Sequence, residues 1–198
     1  MLSITSRIYC LFICLIVVAA TVAFTDNQSN GKEIKGGTFI DDRDSATYKT
    51  IKIGNQVWMS ENLKFNSENS SCPDFKERPC SKFGRFYTFD EALKACPNGW
   101  HLPDQNEWDI LINNLGGNTA AITHLKRGGS SKFEAPLAGV FAHRVGQLLG
   151  FGEWEIFWAA LEKPDTQEAF TVYFHHKQGI TYHFNTKFNY FCVRCLKD

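Results

Sequence analysis

Glu91-Ala92-Leu93-Lys94-Ala95-Cys96-Pro97-Asn98-Gly99-Trp100-His101-Leu102-Pro103-Asp104-Gln105-Asn106-Glu107-Trp108 holds the end of one helix, a stop, and the start of a second helix. Just upstream, Thr88-Phe89-Asp90-Glu91 has the Thr-x-x-Glu form of a capping box, in which two side chains each satisfy an orphan backbone donor at a helix start. Ala92, Leu93 and Ala95 continue that helix, and Pro97-Asn98-Gly99 ends it. The second helix is predicted over Gln105 to Leu115, with Asp104 at the N-cap and Glu107 three residues on. Trp108, Leu111, Ile112 and Leu115 fall at i, i+3, i+4 and i+7 and form one apolar face. Gly116-Gly117 terminates it.

The sequence on either side has a different period. Upstream, Ile51 and Ile53 share one face of a strand while Thr50 and Lys52 share the other. Gly54-Asn55 is a two-residue turn signal, and Val57 and Trp58 resume the apolar pattern, so Tyr48 to Met59 reads as a hairpin. Downstream, strands are predicted over Leu137–Phe141, Glu155–Leu161, Ala169–Phe174, Gly179–Phe184 and Phe191–Leu196. The pattern between Ala120 and Ser131 is ambiguous, and Lys126-Arg127-Gly128-Gly129-Ser130-Ser131 is a loop. Two short helices packed on a largely antiparallel sheet with long loops make an α+β domain.

At 198 residues the chain holds one domain rather than two. Its 21 basic and 21 acidic residues cancel, which removes the basic face that nucleic acid requires. Aromatic residues are 14% of the chain, enough to build a core and to leave some rings for a sugar or a protein partner.

Residues 1–23 read as a secretory signal. Arg7 supplies the positive start, Ile8 to Phe24 is nearly unbroken apolar sequence, and Val18-Ala19-Ala20 and Thr21-Val22-Ala23 both fit a small-x-small cleavage site. An uncleaved anchor is the alternative, but the apolar run is short and no basic stop-transfer cluster follows, so no stable span is expected after cleavage. Cys10 and Cys14 lie inside the apolar run, not after the cleavage site where a lipid would be attached. Residues 24–37 are small and polar, a flexible tether, and order is expected from Thr38. Cleavage leaves Cys72, Cys80, Cys96, Cys192 and Cys195, and an oxidising compartment implies two disulfides and one leftover thiol.

Several long motifs, in order, resemble one family. They are Thr38 to Asp44, Tyr48 to Leu63, Phe83-Gly84-Arg85-Phe86-Tyr87-Thr88-Phe89, Ala95 to Pro103 with Glu107-Trp108, and the ending Val193-Arg194-Cys195-Leu196-Lys197-Asp198. Together they are similar to the Fibrobacter succinogenes major paralogous domain over residues 38–198. That resemblance implies a bacterial protein that is secreted, periplasmic or on the cell surface. It also implies a C-type-lectin-like fold, distantly like that of formylglycine-generating enzymes. The shared logic pairs a Cys beside a short helix with a Cys on the final strand, so it implies a Cys96–Cys195 bond. Cys72 and Cys80 would then close a local loop, leaving Cys192, a departure from the small non-Cys residue usual in the family. The same logic places ligand-contacting loops between about Lys126 and Lys163, where Arg144, Phe151, Trp154 and Trp158 are candidate ligand contacts.

Other constellations carry less. Cys192-Val193-Arg194-Cys195 lies in a predicted strand rather than at a helix start, so a redox role is disfavoured, and a solvent-facing Cys192 would instead support a disulfide dimer. The late Cys pair lacks the arrangement of a copper-dependent formylglycine-generating oxidase. No Glu-Pro-Asn, Gln-Pro-Asp or Trp-Asn-Asp triplet is present for calcium-dependent sugar binding, and Lys163 precedes Pro164-Asp165 where an oxygen ligand is needed. Asp41-Asp42-Arg43-Asp44 reads as a solvated turn. His175, His176 and His183 make a weak metal set, His101 reads as a near-core histidine, and Glu153 with Glu155 is a poor pair for glycoside chemistry. The expectation is an exported, non-catalytic module with no cofactor, recognising a polysaccharide or a surface protein. A structural protein of the envelope is the alternative.

Overall fold

The computed structural model describes residues 36–198 apart from 73–75, 77 and 143. The expected signal at residues 1–23 lies outside the described residues, as does the expected tether up to residue 35. Where order was expected from Thr38, Gly36 and Gly37 already pair with the next strand.

Three strands meander first: β1 (Gly36–Ile40), β2 (Thr47–Ile53) and β3 (Gln56–Met59). The β2–β3 hairpin turns at Gly54-Asn55, and Gly54 has φ 61°, which favours a residue without Cβ. Ile51 and Ile53 are buried while Lys52 is exposed, the alternation the sequence predicts. The sheet is completed by β6 (Trp100–His101) and β12 (Leu196–Lys197) in the order β1-β2-β3-β12-β6. A second antiparallel sheet is built from β9 (Trp154–Glu162), β10 (Glu168–His175) and β11 (Gly179–Thr186), with β10 in the middle. Two small ribbons pair β4 (Ser70–Ser71) with β5 (Phe86–Tyr87) and β7 (Val140–Ala142) with β8 (Gln147–Leu149).

Four helices are present among the described residues, where two were expected. The expected pair are α2 (Phe89–Ala95) and α3 (Gln105–Asn114). A one-turn helix α1 (Cys80–Phe83) precedes them, and α4 (Asn118–Leu125) occupies the stretch whose pattern was ambiguous. The capping box of α3 is formed: the Glu107 amide donates to Asp104, and the Asp104 amide donates to Glu107. That of α2 is not. Thr88 makes no side-chain cap, and Glu91 is buried with its carboxylate 3.3 Å from Lys94.

The expected strand Phe191–Leu196 is an extended tie of which only Leu196 enters a sheet. Its backbone reaches a different element at almost every residue. Phe191 and Tyr87 exchange hydrogen bonds, Cys192 donates to Ile156, Val193 accepts from Leu63, and Cys195 accepts from Met59. This tie separates two apolar clusters. One centres on Trp108, in ring contact with Trp58 (4.8 Å) and Phe157 (5.4 Å). The other centres on Trp158, with Phe89 and Phe191 at 5.3 and 4.7 Å. Cys96–Cys195 and Cys72–Cys80 are disulfides. Cys192 faces the first cluster and Cys195 the second, so residues three apart on an extended chain point opposite ways.

Candidate functional site

Burying polar side chains costs free energy unless each finds partners. Five of them lie between the clusters: Asn62, Arg78, Glu155, Cys192 and Arg194. The Arg194 guanidinium donates to Asn62 Oδ1 (3.0 and 2.6 Å) and to the carbonyls of Met59 (3.1 Å) and Phe133 (2.6 Å). Asn62 Nδ2 donates to the Phe83 carbonyl (3.0 Å) and to Glu155 Oε1. Glu155 Oε2 accepts from the Leu137 amide at 3.2 Å. Arg78 donates to the carbonyls of Ala138 and Gly84, each at 2.9 Å, and stacks 3.8 Å over the Phe86 ring.

Burial raises the Glu155 pKa above its ordinary value, against the pull of Arg194, the Asn62 hydrogen bond and Arg78. It also raises the Cys192 thiol, which the carboxylate of Glu155 reinforces. Arg194 is lowered by burial to about 10, so it keeps its charge at neutral pH. Two guanidiniums and one carboxyl group are enclosed together in the interior.

This network fixes a loop. Lys132, Glu134 and Leu137 have φ of 60°, 59° and 51°, a left-handed conformation uncommon for residues with a side chain. Such strain persists where the surroundings hold it. Here Phe133 is fully buried with its carbonyl held by Arg194, and the Leu137 amide is held by Glu155. On either side of Phe133, Lys132 and Glu134 line a cleft of about 880 Å³.

The cleft is open and polar. Its walls come from β1 and β2, from Ser60 to Asn62, from α1, and from the pinned loop. Four cations line it: Lys49, Lys82, Arg127 and Lys132. Among the described residues none of the four makes an ion pair. Its two carboxylates are engaged. Glu61 accepts from the Lys49 amide (2.9 Å) and pairs with Lys64 (3.5 Å), and Glu134 accepts from the Gly128 amide (3.1 Å). The Phe83 ring supports two of the cations, with Arg127 at 5.1 Å and Lys82 at 5.4 Å. Among the described residues no His, Cys, Asp or Tyr lines the cleft.

The residues singled out from the sequence are scattered. Trp158 is corrected outright: it is fully buried and its indole N–H donates to the Tyr87 carbonyl at 2.8 Å, so it is core and no ligand reaches it. Trp154 is half-buried, its indole against Gly150, where a Cβ would come within 2.0 Å of the ring. Phe151 is exposed at its edge and packs 5.1 Å from Phe83, behind the cations. Arg144 is exposed in the turn between β7 and β8, away from the cleft lining. Cys192 is also corrected. It is fully buried against Arg78, whose Nη2 lies 3.8 Å from Sγ, so Cys192 is not the solvent-facing thiol that a dimer would use. Glu153 is exposed and Glu155 buried, which removes any joint role on a sugar. The His175 ring accepts from the amides of Lys177 and Gln178 and so caps the β10–β11 turn. Asp41 is buried and paired with Arg43 at 2.7 Å, where a solvated turn was expected.

Residues 51–197 match the Fibrobacter succinogenes major domain. The chain belongs to that family. Neither a curated protein nor a solved structure matches it. The matched span begins within β2 and ends within β12, so both disulfides and the whole buried network fall inside the Fibrobacter succinogenes major domain. The wall built by β1, Lys49 and Thr50 lies outside the span.

His101, in the Trp-His-Leu-Pro stretch of the domain, sits with Nδ1 2.6 Å from Asp198 and Nε2 2.9 Å from Glu107. Burial lowers its pKa, but the hydrogen bonds to Asp198 and Glu107 outweigh it and the net direction is up from 6.5. A folded pKa above the unfolded one stabilises fully below the unfolded value and is lost as pH rises through the folded value. Stability relative to His101→Gln is therefore expected to be greatest below about pH 6.5 and to shrink at higher pH. Urea unfolding of both proteins across that range measures it, and a constant difference would reject the charged pairing.

Proposed function

We propose that the protein is an exported, non-catalytic binding module of C-type-lectin-like architecture that takes a polysaccharide or a surface protein in the cleft. One observation carries the reading: strained backbone at Lys132, Glu134 and Leu137 is held by a buried ionic network whose outer face is this open polar cleft. Strained backbone in natural proteins clusters at ligand clamps and active sites. The cleft offers hydroxyls and charges for orientation and, among the described residues, no paired nucleophile and base, which favours binding over turnover. Support for the lectin-like architecture comes from the Cys96–Cys195 tie between the end of α2 and the last strand. Two disulfides suit an oxidising compartment, so the place of action is proposed as secreted, periplasmic or on the cell surface. Among the described residues no helix is long and apolar enough to cross a membrane.

The test is binding of the purified, oxidised protein to soluble glycans, insoluble plant polysaccharides and extracted surface proteins, with and without a chelator. Saturable binding that Thr38→Trp abolishes by filling the cleft is the expected result. Binding that survives Thr38→Trp would move the site elsewhere, and no saturable binding to any probe would overturn the reading.

A further inference from the structure

We propose that the cleft is specific for acidic polysaccharide, a sugar chain bearing carboxylate or sulfate groups. This rests on the binding-module reading above and names its ligand class.

The argument starts from charge. The whole chain is neutral, with 21 residues of each sign, yet the described residues lining the cleft carry four cations against two carboxylates. Both carboxylates are occupied by protein donors, and the cations have no carboxylate partner among the described residues. A cluster of like charges repels itself, and an anionic ligand relieves that repulsion. Three separate segments supply the cations: β2 gives Lys49, α1 gives Lys82, and the loops after α4 give Arg127 and Lys132. Charges spread this way suit a ligand with repeated anionic groups better than a single small ion.

The remaining lining selects sugar over peptide. Thr38, Thr50, Ser60 and Ser81 offer hydroxyls, the groups that exchange hydrogen bonds with sugar hydroxyls. A protein ligand would bring buried aromatic or aliphatic anchors that need apolar pockets, and among the described residues Ile51 and Pro136 are the apolar lining here apart from glycine. A neutral polysaccharide would need an aromatic face to stack on, and among the described residues no Phe, Tyr or Trp lines the cleft. Phe83 instead lies behind Lys82 and Arg127 and steadies them. Asn62 joins the lining to the buried network, so the cation-bearing loop is held in place before ligand arrives.

Titration calorimetry of the oxidised protein with polygalacturonate, dextran sulfate, neutral dextran, arabinoxylan and polyglutamate tests this. The acidic polysaccharides should bind and the neutral ones should not. Affinity should fall about tenfold or more between about 50 mM and about 500 mM NaCl, because exposed charges are screened. Lys82→Glu with Arg127→Glu should weaken binding by about tenfold or more, while Arg144→Glu, an exposed charge away from the cleft, should change it less than about twofold. All three positions are exposed, and an unchanged unfolding midpoint verifies that the variants fold. Cleft-dependent binding of neutral dextran or arabinoxylan, insensitive to salt, would leave the binding module standing and overturn its acidic specificity. Equal binding of polyglutamate through the same residues would also overturn it, in favour of a protein ligand. An equal loss from Arg144→Glu would reduce the effect to overall charge and overturn the site. Silence from every polymer would remove both this specificity and the polysaccharide form of the function.

Discussion

Replacing Glu155 by Gln is expected to cost about 1–3 kcal/mol of stability, because it removes the charge that both buried guanidiniums feel and leaves a buried donor without its acceptor. Geometry adds to the charge effect. Glu155 accepts on both oxygens, from Asn62 Nδ2 and from the Leu137 amide. A glutamine would keep one acceptor and turn an NH₂ toward the other donor. Asn62 cannot flip to relieve this, because its Oδ1 is held by two nitrogens of Arg194. The check is urea unfolding of wild type, Glu155→Gln, Arg194→Met and the double variant. The double variant should lose clearly less than the sum of the singles, since residues in one network couple by about 0.5–3 kcal/mol. A single-variant loss below about 1 kcal/mol, at the level of an ordinary hydrogen bond, would mean that the charges do not sense one another.

The second large effect concerns the two disulfides. Cys96–Cys195 spans 99 residues and Cys72–Cys80 spans 8. In the chain-entropy account, closing a loop of ~100 residues restricts the unfolded state by about 4.7 kcal/mol, and a loop of ~8 by about 2.5 kcal/mol. Cys96→Ser with Cys195→Ser should therefore lower the denaturation midpoint much further than Cys72→Ser with Cys80→Ser. Equal losses, or the reverse order, would show that the bonds act by holding the native state and not by limiting the unfolded one.

What the sequence made legible is what local chemistry decides. The start of α3 follows from Asp104 and Glu107 alone, because both halves of a capping box lie within one turn. The β2–β3 hairpin follows from alternation around Gly54-Asn55. The same logic failed at Thr88, where Glu91 is drawn into the core and to Lys94 rather than back to the cap. It missed α4, which opens on Gly116-Gly117 and carries Ala121, Ile122 and Leu125 as its only buried residues, too few for a clear period. Phe191 to Leu196 has the apolar content of a buried strand, but its partners belong to different elements, and composition does not encode that.

The cleft was hidden for the same reason. Its walls are drawn from positions 36 to 136 and meet only through pairing across the whole chain. The loop region expected to carry ligand contacts does contribute, through Arg127, Lys132, Glu134 and Pro136, and not through Trp158. Arginines in a sequence read as surface, so the buried roles of Arg78 and Arg194 left no local signal. Three residues of positive φ within 132–137 are a signal that appears only in coordinates.

The position of β12 has a consequence for how the molecule comes into being. It is the last strand in the chain, yet it lies between β3 and β6, formed far earlier. A nascent chain holding β1 to β11 has a gap in its larger sheet, and Cys96 waits for a partner 99 residues downstream. Such high contact order slows folding and delays closure until the tail has arrived. Any truncation that removes the last few residues leaves the sheet in two halves. The larger sheet is thus expected to close late, only once Leu196 can pair with Trp58 and His101.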